Sequence, residues 1–302
     1  MPETTLPWQA DELQTQLAAE WPGLVVEVLA EAGSTNTVLL DRARAPLASD
    51  ADVQVRRSVE SAAFGSRESA AAPAACLLVA EHQRAGRGRQ GRHWQAAPGA
   101  SLTFSLGLPL AAPDWSGLSL AVGVALCEAL ATGSSAGPQL ALKWPNDLWL
   151  LDGPIDRLGA GRKLGGILIE TVAAGARRQA VIGVGLNVAP FDAPDARTGF
   201  ASLHELDPVL TAPRVLARVA LPLLRALRQF ERDGLAAFAD RFASLDLLHG
   251  RAVSTTSASV PEGIACGVSA SGALRVRTGA GTGASITEVS SGEVSLRLAA
   301  TA

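Results

Sequence analysis

The sequence has 302 residues and a net charge of −3, which allows one large domain plus a small one. The acidic balance argues against a nucleic-acid-binding protein, because such proteins usually carry a basic face. Three scattered cysteines without a CxxC pair argue against a disulfide framework or a zinc site, and they fit a reducing compartment. The N-terminus is acidic, and the most apolar stretch, Leu118–Leu130, is interrupted by Glu128, so we expect a cytoplasmic protein without a membrane anchor.

Short apolar runs that are rich in Val, Leu and Ile predict the strands of one sheet. These runs are Leu24–Leu29, Cys76–Ala80, Ser101–Leu108, Leu142–Leu151, Leu164–Val172 and Ala180–Val188. In Ser101–Leu108 large apolar residues alternate with small or polar ones, a pattern that is typical of a sheet covered on one side.

Helices are predicted at Thr37–Ala45, at Gly117–Ala131 and from Pro213 to about Leu245, where Leu and Ala recur three and four residues apart. Strands and helices in this order predict an α+β fold, with a mixed or antiparallel sheet and helices on one face. Residues 46–75 are rich in Ala, Ser and Pro, and we interpret them as a mobile insertion, because so long a structureless connection is unusual in a compact domain.

From about His249 the pattern changes to short β-like runs that are separated by Gly, Ser and Thr. These runs are Ile264–Gly267, Ala273–Arg277, Ile286–Val289 and Glu293–Leu298. They predict a small all-β barrel. The expected organisation is therefore a large domain at residues 1–247 and a small β domain at residues 248–302.

The densest polar motif, QRAGRGRQGRHW at residues 83–94, directly follows the predicted strand Cys76–Ala80. Its glycines let backbone N–H groups turn toward an anion, and its four arginines add forked donors for phosphate or carboxylate. The GxxxxGK[ST] spacing of a Walker A loop is absent. The motif predicts an anion site, with a solvated basic loop or an RNA-contacting Arg/Gly segment as the alternatives.

Two further polar motifs interrupt apolar stretches. KWPND, residues 143–147, is either an ordinary turn that ends a strand or a Mg²⁺ or nucleotide contact through Asn146 and Asp147. GRKLGGILIE, residues 161–170, places Lys163 before Gly165 and Gly166, and paired glycines in a strand indicate a close approach by a ligand or another backbone. The alternative for Lys163 is a solvated lysine at a strand end.

Two short motifs complete the set. GVGLNV, residues 183–188, has glycine at every second position of its first half, which leaves room on one strand face for a flat ligand or a closely packed helix. Ser34, Thr35 and Asn36 precede a predicted helix and are expected to cap it. Their hydroxyl and amide groups also offer hydrogen bonds to the polar head of a ligand.

Taken in order, these motifs resemble those of the biotin–protein ligases. The matching segments are STNT, EHQRAGRGRQGRHW, SLTFSLGL, KWPND, GRKLGGILIE, VIGVGLNV and a terminal SGEVSLR, which cover about residues 31–190 and the C-terminal module. The resemblance implies the α+β fold of biotin ligases and lipoyl transferases, with an SH3-like C-terminal barrel. It also implies that ATP activates biotin to biotinyl-5′-AMP, and that biotin is then transferred to a lysine of a biotin carboxyl carrier protein.

The resemblance assigns a role to each motif. The candidate biotin-binding residues are Ser34, Thr35, Asn36, Gln83, Gly86, Arg87, Gly88, Arg89, Trp94, Lys163, Gly165 and Gly166. The candidate nucleotide-binding residues are Arg87, Arg89, Arg92, Asn146 and Asn187. Lys163 and Arg89 are implied as catalytic residues, and Asp147 is implied as a ligand of Mg²⁺.

One feature distinguishes this sequence from the regulatory members of the family, and two alternative functions remain. About 30 residues precede STNT, too few for the winged helix–turn–helix of the regulatory members, so we expect no DNA-binding repressor function. One rival is a lipoate–protein ligase of the same fold, although the Arg-rich triple-glycine motif associated with that family is missing. The other rival is a non-catalytic nucleotide- or RNA-binding protein, which would present a basic surface.

Overall fold

The computed structural model describes residues 6–44, 75–131, 137–153, 161–174, 177–192, 199–279, 283–290 and 297–298. The predicted insertion at residues 46–75 lies outside the described residues except for Ala75. The helices are α1 Ala10–Ala18, α2 Thr35–Arg44, α3 Leu118–Leu130, α4 Ala212–Asp233 and α5 Ala239–Leu245. The strands are β1 Val25–Ala32, β2 Cys76–Gln83, β3 Gly86–Arg87, β4 His93–Trp94, β5 Ser101–Pro109, β6 Gln139–Lys143, β7 Asp147–Leu151, β8 Arg162–Ala174, β9 Arg177–Asn187, β10 Ala252–Ser254, β11 Glu262–Val268, β12 Leu274–Thr278, β13 Ser285–Val289 and β14 Arg297–Leu298.

Seven strands form a mixed sheet in the order β1-β2-β5-β9-β8-β7-β6. β1 and β2 run parallel, and every other pair of neighbours is antiparallel. The apolar runs of the sequence lie in the central strands. Both faces of these strands are buried, so apolar and polar residues need not alternate along them. The predicted α+β fold with a mixed sheet is confirmed.

One face of the sheet packs against α3 and α4. Leu77, Phe104 and Leu106 are completely buried on this face and belong to the main hydrophobic cluster. Ten of the thirteen residues of α3 are buried, because it lies between the sheet and the amphipathic α4. Burying a large apolar side chain of this kind contributes about 1.5–3 kcal/mol.

The opposite face is covered too, because α2 packs on it. Leu39 and Leu40 of α2 form a second buried cluster with Leu78 and Val181 of the sheet. The expectation that helices cover only one face of the sheet is therefore wrong. The small residues that alternate along β5 and β9 give this helix the space to approach. The closely packed helix was one of the two alternatives for the β9 glycines, whereas the β5 pattern alone predicted a sheet covered on one side.

Two predicted elements are divided in the structure. The run Leu142–Leu151 forms β6 and β7, an antiparallel hairpin whose turn is Trp144–Asn146, with a cis peptide bond before Pro145. The helix predicted from Pro213 to Leu245 is α4, a short 3₁₀ segment and α5, because Gly234 adopts a left-handed φ of 62° where α4 ends. The amphipathic α1 was not predicted.

The C-terminal part forms a five-stranded antiparallel sheet in the order β13-β12-β11-β10-β14, which agrees with the predicted small SH3-like domain. Its buried Ala265 and Val276 belong to the same hydrophobic cluster as the large sheet. Trp144 Nε1 donates a hydrogen bond of 2.8 Å to the carbonyl of Gly272, so the small sheet packs against the turn of the β6–β7 hairpin. The division at residues 247 and 248 remains a prediction.

None of the helices in the described part of the chain combines the length and the apolar character needed to cross a membrane.

Candidate active site

The candidate site lies on the sheet face that carries α2, and its floor consists of small residues. Strand pairing places Gly183 opposite Ser105 and places Gly185 between Thr103 on one side and Gly166 on the other. Because successive strands lie about 4.8 Å apart, the floor from β5 to β7 spans about 14 Å. The alternating glycines detected in GVGLNV are therefore part of one continuous surface.

A buried cluster of hydroxyl and amide groups forms one end of the floor. Gln83 Oε1 accepts hydrogen bonds from the Thr35 backbone N–H at 2.7 Å and from the Thr35 hydroxyl at 3.1 Å. Ser105 Oγ lies 2.6 Å from Thr35 Oγ1 and 2.6 Å from Asn36 Oδ1. Both hydroxyls and both amides are buried, so their orientation is fixed before any ligand arrives.

The start of α2 supplies this cluster. The Ser34 carbonyl accepts the first backbone hydrogen bond of the helix from Val38, and its hydroxyl lies 3.5 Å from the Thr37 N–H. The capping role expected for the motif is therefore present, although the Ser34 side-chain contact is long. Gly183 makes the approach possible, because a Cβ at that position would overlap the Asn36 side chain.

The Arg/Gly motif folds as a small hairpin across the floor. β3 and β4 pair Gly86 with Trp94 and Arg87 with His93, and the Gly88 N–H donates to the Arg92 carbonyl at 2.7 Å. A Cβ on Gly86 would overlap the Trp94 carbonyl, so only glycine permits this pairing. We call residues 86–94 the arginine loop.

The arginines of this loop extend in different directions. Arg87 donates to both carboxylate oxygens of Glu170, at 3.1 and 2.9 Å. Arg89 Nη1 donates to Asn146 Oδ1 at 3.2 Å, at the turn of the β6–β7 hairpin. Arg84 precedes the loop and pairs with Glu31 at 3.0 Å, outside the floor. The motif therefore places Arg89 beside the KWPND turn.

Trp94 covers the middle of the floor. A Cβ on Gly185 would lie 2.5 Å from Trp94 Cε2, so the indole packs directly on the glycine. The indole Nε1 is buried and has no hydrogen-bond partner among the described residues. A buried donor without a partner is costly, and a ligand acceptor at this point would remove that cost.

A lysine and a carboxylate form the other end of the floor. Lys163 Nζ lies 2.7 Å from Asp147 Oδ1, and its ammonium is 5.8 Å from the centre of the Trp94 ring. Gly166 borders both groups, because a Cβ there would lie 3.5 Å from Lys163 Nζ and 3.6 Å from Asp147 Oδ1. The missing side chain keeps the ammonium accessible from the floor.

Arg89 adds a second positive charge at this end. Burial lowers the pKa of the Arg89 guanidinium, Asp147 opposes that change and Arg92 adds to it. Its partner Asn146 is fixed in turn, because Asn146 Nδ2 donates to the Ile167 carbonyl at 2.7 Å. A half-buried guanidinium beside Lys163 and Asn146 can donate to an anionic ligand at this end of the floor.

Asn187 lies beneath Lys163 and is buried. Its Nδ2 donates to the Ala201 carbonyl at 3.0 Å and lies 3.4 Å from the Lys163 carbonyl. The Lys163 N–H donates to the Gly199 carbonyl at 3.2 Å, so the backbone of Lys163 is held from two sides. The structure thus shows a positioning role for Asn187, and the adenine contact implied by the resemblance stays a prediction.

The structure brings most of the predicted site residues together and adds two. Ser105 and Glu170 were not singled out, although both lie within the motifs SLTFSLGL and GRKLGGILIE. Their polar side chains on the glycine-bearing face were the available signal. Within the described part of the chain no group of three His, Cys, Asp or Glu residues could hold a metal ion. Asp147 has the amide of Asn146 as its neighbour in sequence.

Comparison with known proteins adds independent information. Residues 53–187 match the model of the biotin/lipoate A/B protein ligase family, and residues 248–297 match that of the biotin protein ligase C-terminal domain. The chain is 32% identical over 243 residues to the bifunctional ligase/repressor BirA of Escherichia coli, covering 79% of this chain and 64% of that protein. It is 37% identical over 209 residues to the biotin–[acetyl-CoA-carboxylase] ligase of Mycobacterium tuberculosis, covering 67% of this chain and 62% of that protein.

A similar BirA from Salmonella typhimurium is 37% identical over 173 residues, covering 56% of this chain and 51% of that protein. The chain thus spans between half and two thirds of the length of these curated relatives. Among solved structures, the biotin protein ligase of Aquifex aeolicus in complex with biotin and ATP superposes with a TM-score of 0.67 at 24% identity, over 92% of this chain and all of that one. This likeness shows a shared fold. The chain therefore belongs to the biotin/lipoate A/B protein ligase family and carries a biotin protein ligase C-terminal domain.

Proposed function

We propose that this chain is a biotin–protein ligase, which activates biotin with ATP to biotinyl-5′-AMP and transfers biotin to a lysine of a biotin carboxyl carrier protein. The names of its relatives support this proposal, since the Mycobacterium tuberculosis protein is a biotin–[acetyl-CoA-carboxylase] ligase. We place the reaction in the cytoplasm, where ATP is available and free cysteines stay reduced.

The observation that carries the proposal is the contrast between the two ends of the floor. Thr35 and Gln83 present neutral, buried hydrogen-bonding groups at one end. Lys163 and Arg89 present positive charge at the other end. A ligand with a neutral ureido head and a carboxylate tail, such as biotin, matches this arrangement when the tail lies toward Lys163.

The first half-reaction joins two anions. An oxygen of the biotin carboxylate attacks the α-phosphorus of ATP, and the bond from that phosphorus to the pyrophosphate oxygen breaks. Lys163, Arg89 and Arg92 would reduce the repulsion between carboxylate and phosphate, and they would stabilise the charge that is concentrated in the transition state. Holding both reactants on one floor also removes most of the entropic cost of their encounter.

The second half-reaction transfers biotin to the carrier. The lysine amine of the carrier attacks the carbonyl carbon of the mixed anhydride, AMP leaves with the bonding electrons, and the nitrogen releases a proton as the amide forms. Water would hydrolyse the same anhydride, and the arginine loop with Trp94 would shield it until the carrier arrives. No residue of the chain has to act as a covalent nucleophile in this scheme.

Mg²⁺ is implied by the reaction, and the donor set fits it in part. Asp147 and Asn146 offer a carboxylate and an amide oxygen at the cationic end, and Mg²⁺ commonly binds to one or two carboxylates together with substrate phosphates. Mg²⁺ held there would neutralise phosphate charge.

Pyrophosphate–ATP exchange tests the proposal directly. We expect exchange that depends on biotin and does not occur with lipoate, followed by transfer of biotin to an added carrier domain. Exchange with lipoate but not biotin would identify a lipoate ligase of the same fold. Nucleotide binding without exchange with either acid would mean a non-catalytic protein, and both of these outcomes would overturn the proposal.

The sequence offers a second readout of ligand binding. Lys143 and Lys163 are its only two lysines, and Lys143 is buried against the Trp149 ring at 4.7 Å. An amine-reactive reagent therefore reports on Lys163, with Lys143 as a buried reference. We expect biotin to slow labelling of Lys163 and to leave labelling of Lys143 unchanged.

A further inference from the structure

The contact between Arg87 and Glu170 joins segments 83 residues apart in sequence. Both guanidinium Nη atoms reach the carboxylate, one to each oxygen, which is the two-point geometry that gives arginine–carboxylate pairs their strength. Side-chain exposure is 46% for Arg87 and 23% for Glu170, so the pair lies at the solvent edge of the site. Arg87 belongs to the arginine loop, whereas Glu170 belongs to the rigid strand β8.

Glu170 is itself held in place by α2. Asn36 Nδ2 donates to Glu170 Oε2 at 3.0 Å and to the Leu168 carbonyl at 3.2 Å. Thr37 Oγ1 also lies 3.5 Å from Arg87 Nη1. The carboxylate is therefore fixed by the same residue that completes the buried hydroxyl–amide cluster, and ligand contacts in that cluster have a direct connection to the loop.

The arginine loop is held at two further points. Trp94 packs on Gly185 in the middle of the floor, and Arg89 contacts Asn146 at the far end. The contacts of Trp94 and Arg89 both lie on the floor, where the ligand is proposed to bind. The pair of Arg87 with Glu170 lies at the solvent edge of the site and joins the loop to β8, whereas the biotin and nucleotide contacts implied for Arg87 by the resemblance stay predictions.

We propose that Glu170 is a positioning residue that fastens the arginine loop over the site by binding Arg87. The retention role rests on the proposed function: a fastened loop slows the escape of biotinyl-5′-AMP before the carrier arrives. Glu170 touches no reacting atom in this scheme. Its loss raises the fraction of time that the loop is open and leaves the floor intact.

The size of the effect follows from the exposure of the pair. Exposed ion pairs contribute up to about 1 kcal/mol, which corresponds to about a fivefold change in the open fraction. We therefore expect Glu170→Gln to increase loop opening about three- to fivefold. Glutamine keeps the size of the side chain and an oxygen for Asn36, so the substitution removes mainly the charge that binds Arg87.

Limited digestion with trypsin, without any ligand, tests the fastening role apart from the proposed function. Cleavage after Arg87 or Arg89 requires the loop to open. We expect Glu170→Gln to be cut about three to five times faster in this loop than the wild-type chain, with an unchanged melting temperature. Glu27→Gln is the matched control, because Glu27 pairs with Arg42 of α2 at 2.9 Å at similar exposure, away from the loop.

A double-mutant cycle separates fastening from a general structural effect. Cleavage cannot be scored after residue 87 in an Arg87→Gln chain, so cleavage after Arg89 is compared across all variants. If the two side chains act through each other, Arg87→Gln and the double variant with Glu170→Gln are cut at Arg89 at the same rate. Effects that add in the double variant, or a Glu170→Gln chain cut no faster than the Glu27→Gln control, overturn the proposal.

The rate at which the intermediate is released tests the functional consequence of the pair. After one round of adenylation, biotinyl-5′-AMP should leave Glu170→Gln about three to five times faster than the wild-type chain, with a smaller change in its rate of formation. Equal release together with faster digestion would overturn the retention role and keep the fastening role. If the wild-type chain forms no adenylate, the proposed function fails, while the digestion result still decides whether Glu170 fastens the loop.

Discussion

Replacing Lys163 by alanine is the perturbation that tests the proposed chemistry most directly. Its ammonium lies 2.7 Å from Asp147 Oδ1 and beside Gly166, so alanine removes one positive charge and leaves the Asp147 carboxylate facing the ligand region. Both side chains are less than one third exposed, so solvent screens this change only in part.

The expected magnitude has two contributions. Losing one donor to the charge that develops in a transition state costs about 2.7–4 kcal/mol, or 10²–10³ in rate. Two unit charges 4 Å apart interact by about 4 kcal/mol at an effective dielectric constant of about 20, so the unpaired Asp147 adds repulsion toward the carboxylate and phosphate. We therefore expect Lys163→Ala to slow adenylation by at least about 10²-fold, mainly in kcat.

Measuring the two half-reactions separately identifies the step that is affected. Pyrophosphate exchange should show the full loss, whereas transfer from supplied biotinyl-5′-AMP should suffer less, because the phosphorus chemistry is already complete. Lys163→Arg should restore little, since a planar guanidinium does not replace a compact ammonium beside Gly166. Adding Asp147→Asn to Lys163→Ala separates two roles of Asp147: partial recovery of exchange means that its unpaired charge repels the substrates, and a further loss means that its proposed contact with Mg²⁺ matters more.

Near-normal exchange in Lys163→Ala would refute this reasoning. It would mean that another cation, with Arg89 as the first candidate, meets the biotin carboxylate. An equal loss in exchange and in transfer would assign Lys163 to binding rather than to the chemistry of phosphorus.

Three further substitutions follow from contacts in the structure. Gly185→Ala places a methyl group 2.5 Å from Trp94 Cε2. Overpacking of about 1–3 kcal/mol should open the arginine loop and speed its hydrogen exchange at least about fivefold, and unchanged exchange would contradict the packing. Burial raises the pKa of the Asp246 carboxyl, so the folded chain binds this proton more tightly than the unfolded chain does. The free energy of unfolding therefore falls as pH rises above the ordinary pKa of an aspartate. Asp246→Asn should therefore stabilise the chain more at about pH 7 than at about pH 4 in urea unfolding, and the opposite order would refute the assignment. Trp144→Phe removes the donor to the Gly272 carbonyl and should lower the free energy of unfolding by about 1–3 kcal/mol, whereas an unchanged urea midpoint would show that this contact contributes nothing.

Several features of this protein could be predicted from the sequence, because they depend on local patterns. Alternation with a period of two identified Ser101–Leu108 as a strand with one face of small residues, and β5 has that pattern. The change near His249 to short β-like runs that are separated by Gly, Ser and Thr indicated the small C-terminal β domain. The ordered motifs, with their Gly, Arg and Lys residues, indicated the family and most of the residues that line the floor.

Tertiary structure decided which of these residues meet. Periodicity shows that Gly166 and Gly185 each face one side of a strand, but only the register of β8 and β9 places them opposite each other. A register shifted by one residue would turn every such side chain to the other face. The sequence allowed a turn at KWPND, but it did not show that the strands on either side of that turn pair with each other as a hairpin.

Contacts between residues that are distant in the sequence could not be predicted, for the same reason. Arg87 and Glu170 are 83 residues apart, and the exposed arginines of the loop look alike in the sequence. Hydrogen bonding and ion pairing require a separation of about 3 Å in space, and only the packing of α2 and the loop on the sheet sets that separation. The sequence by itself determined the residue types of the site and the faces they occupy, whereas the packing determined that Arg87 binds Glu170 while Arg89 contacts Asn146.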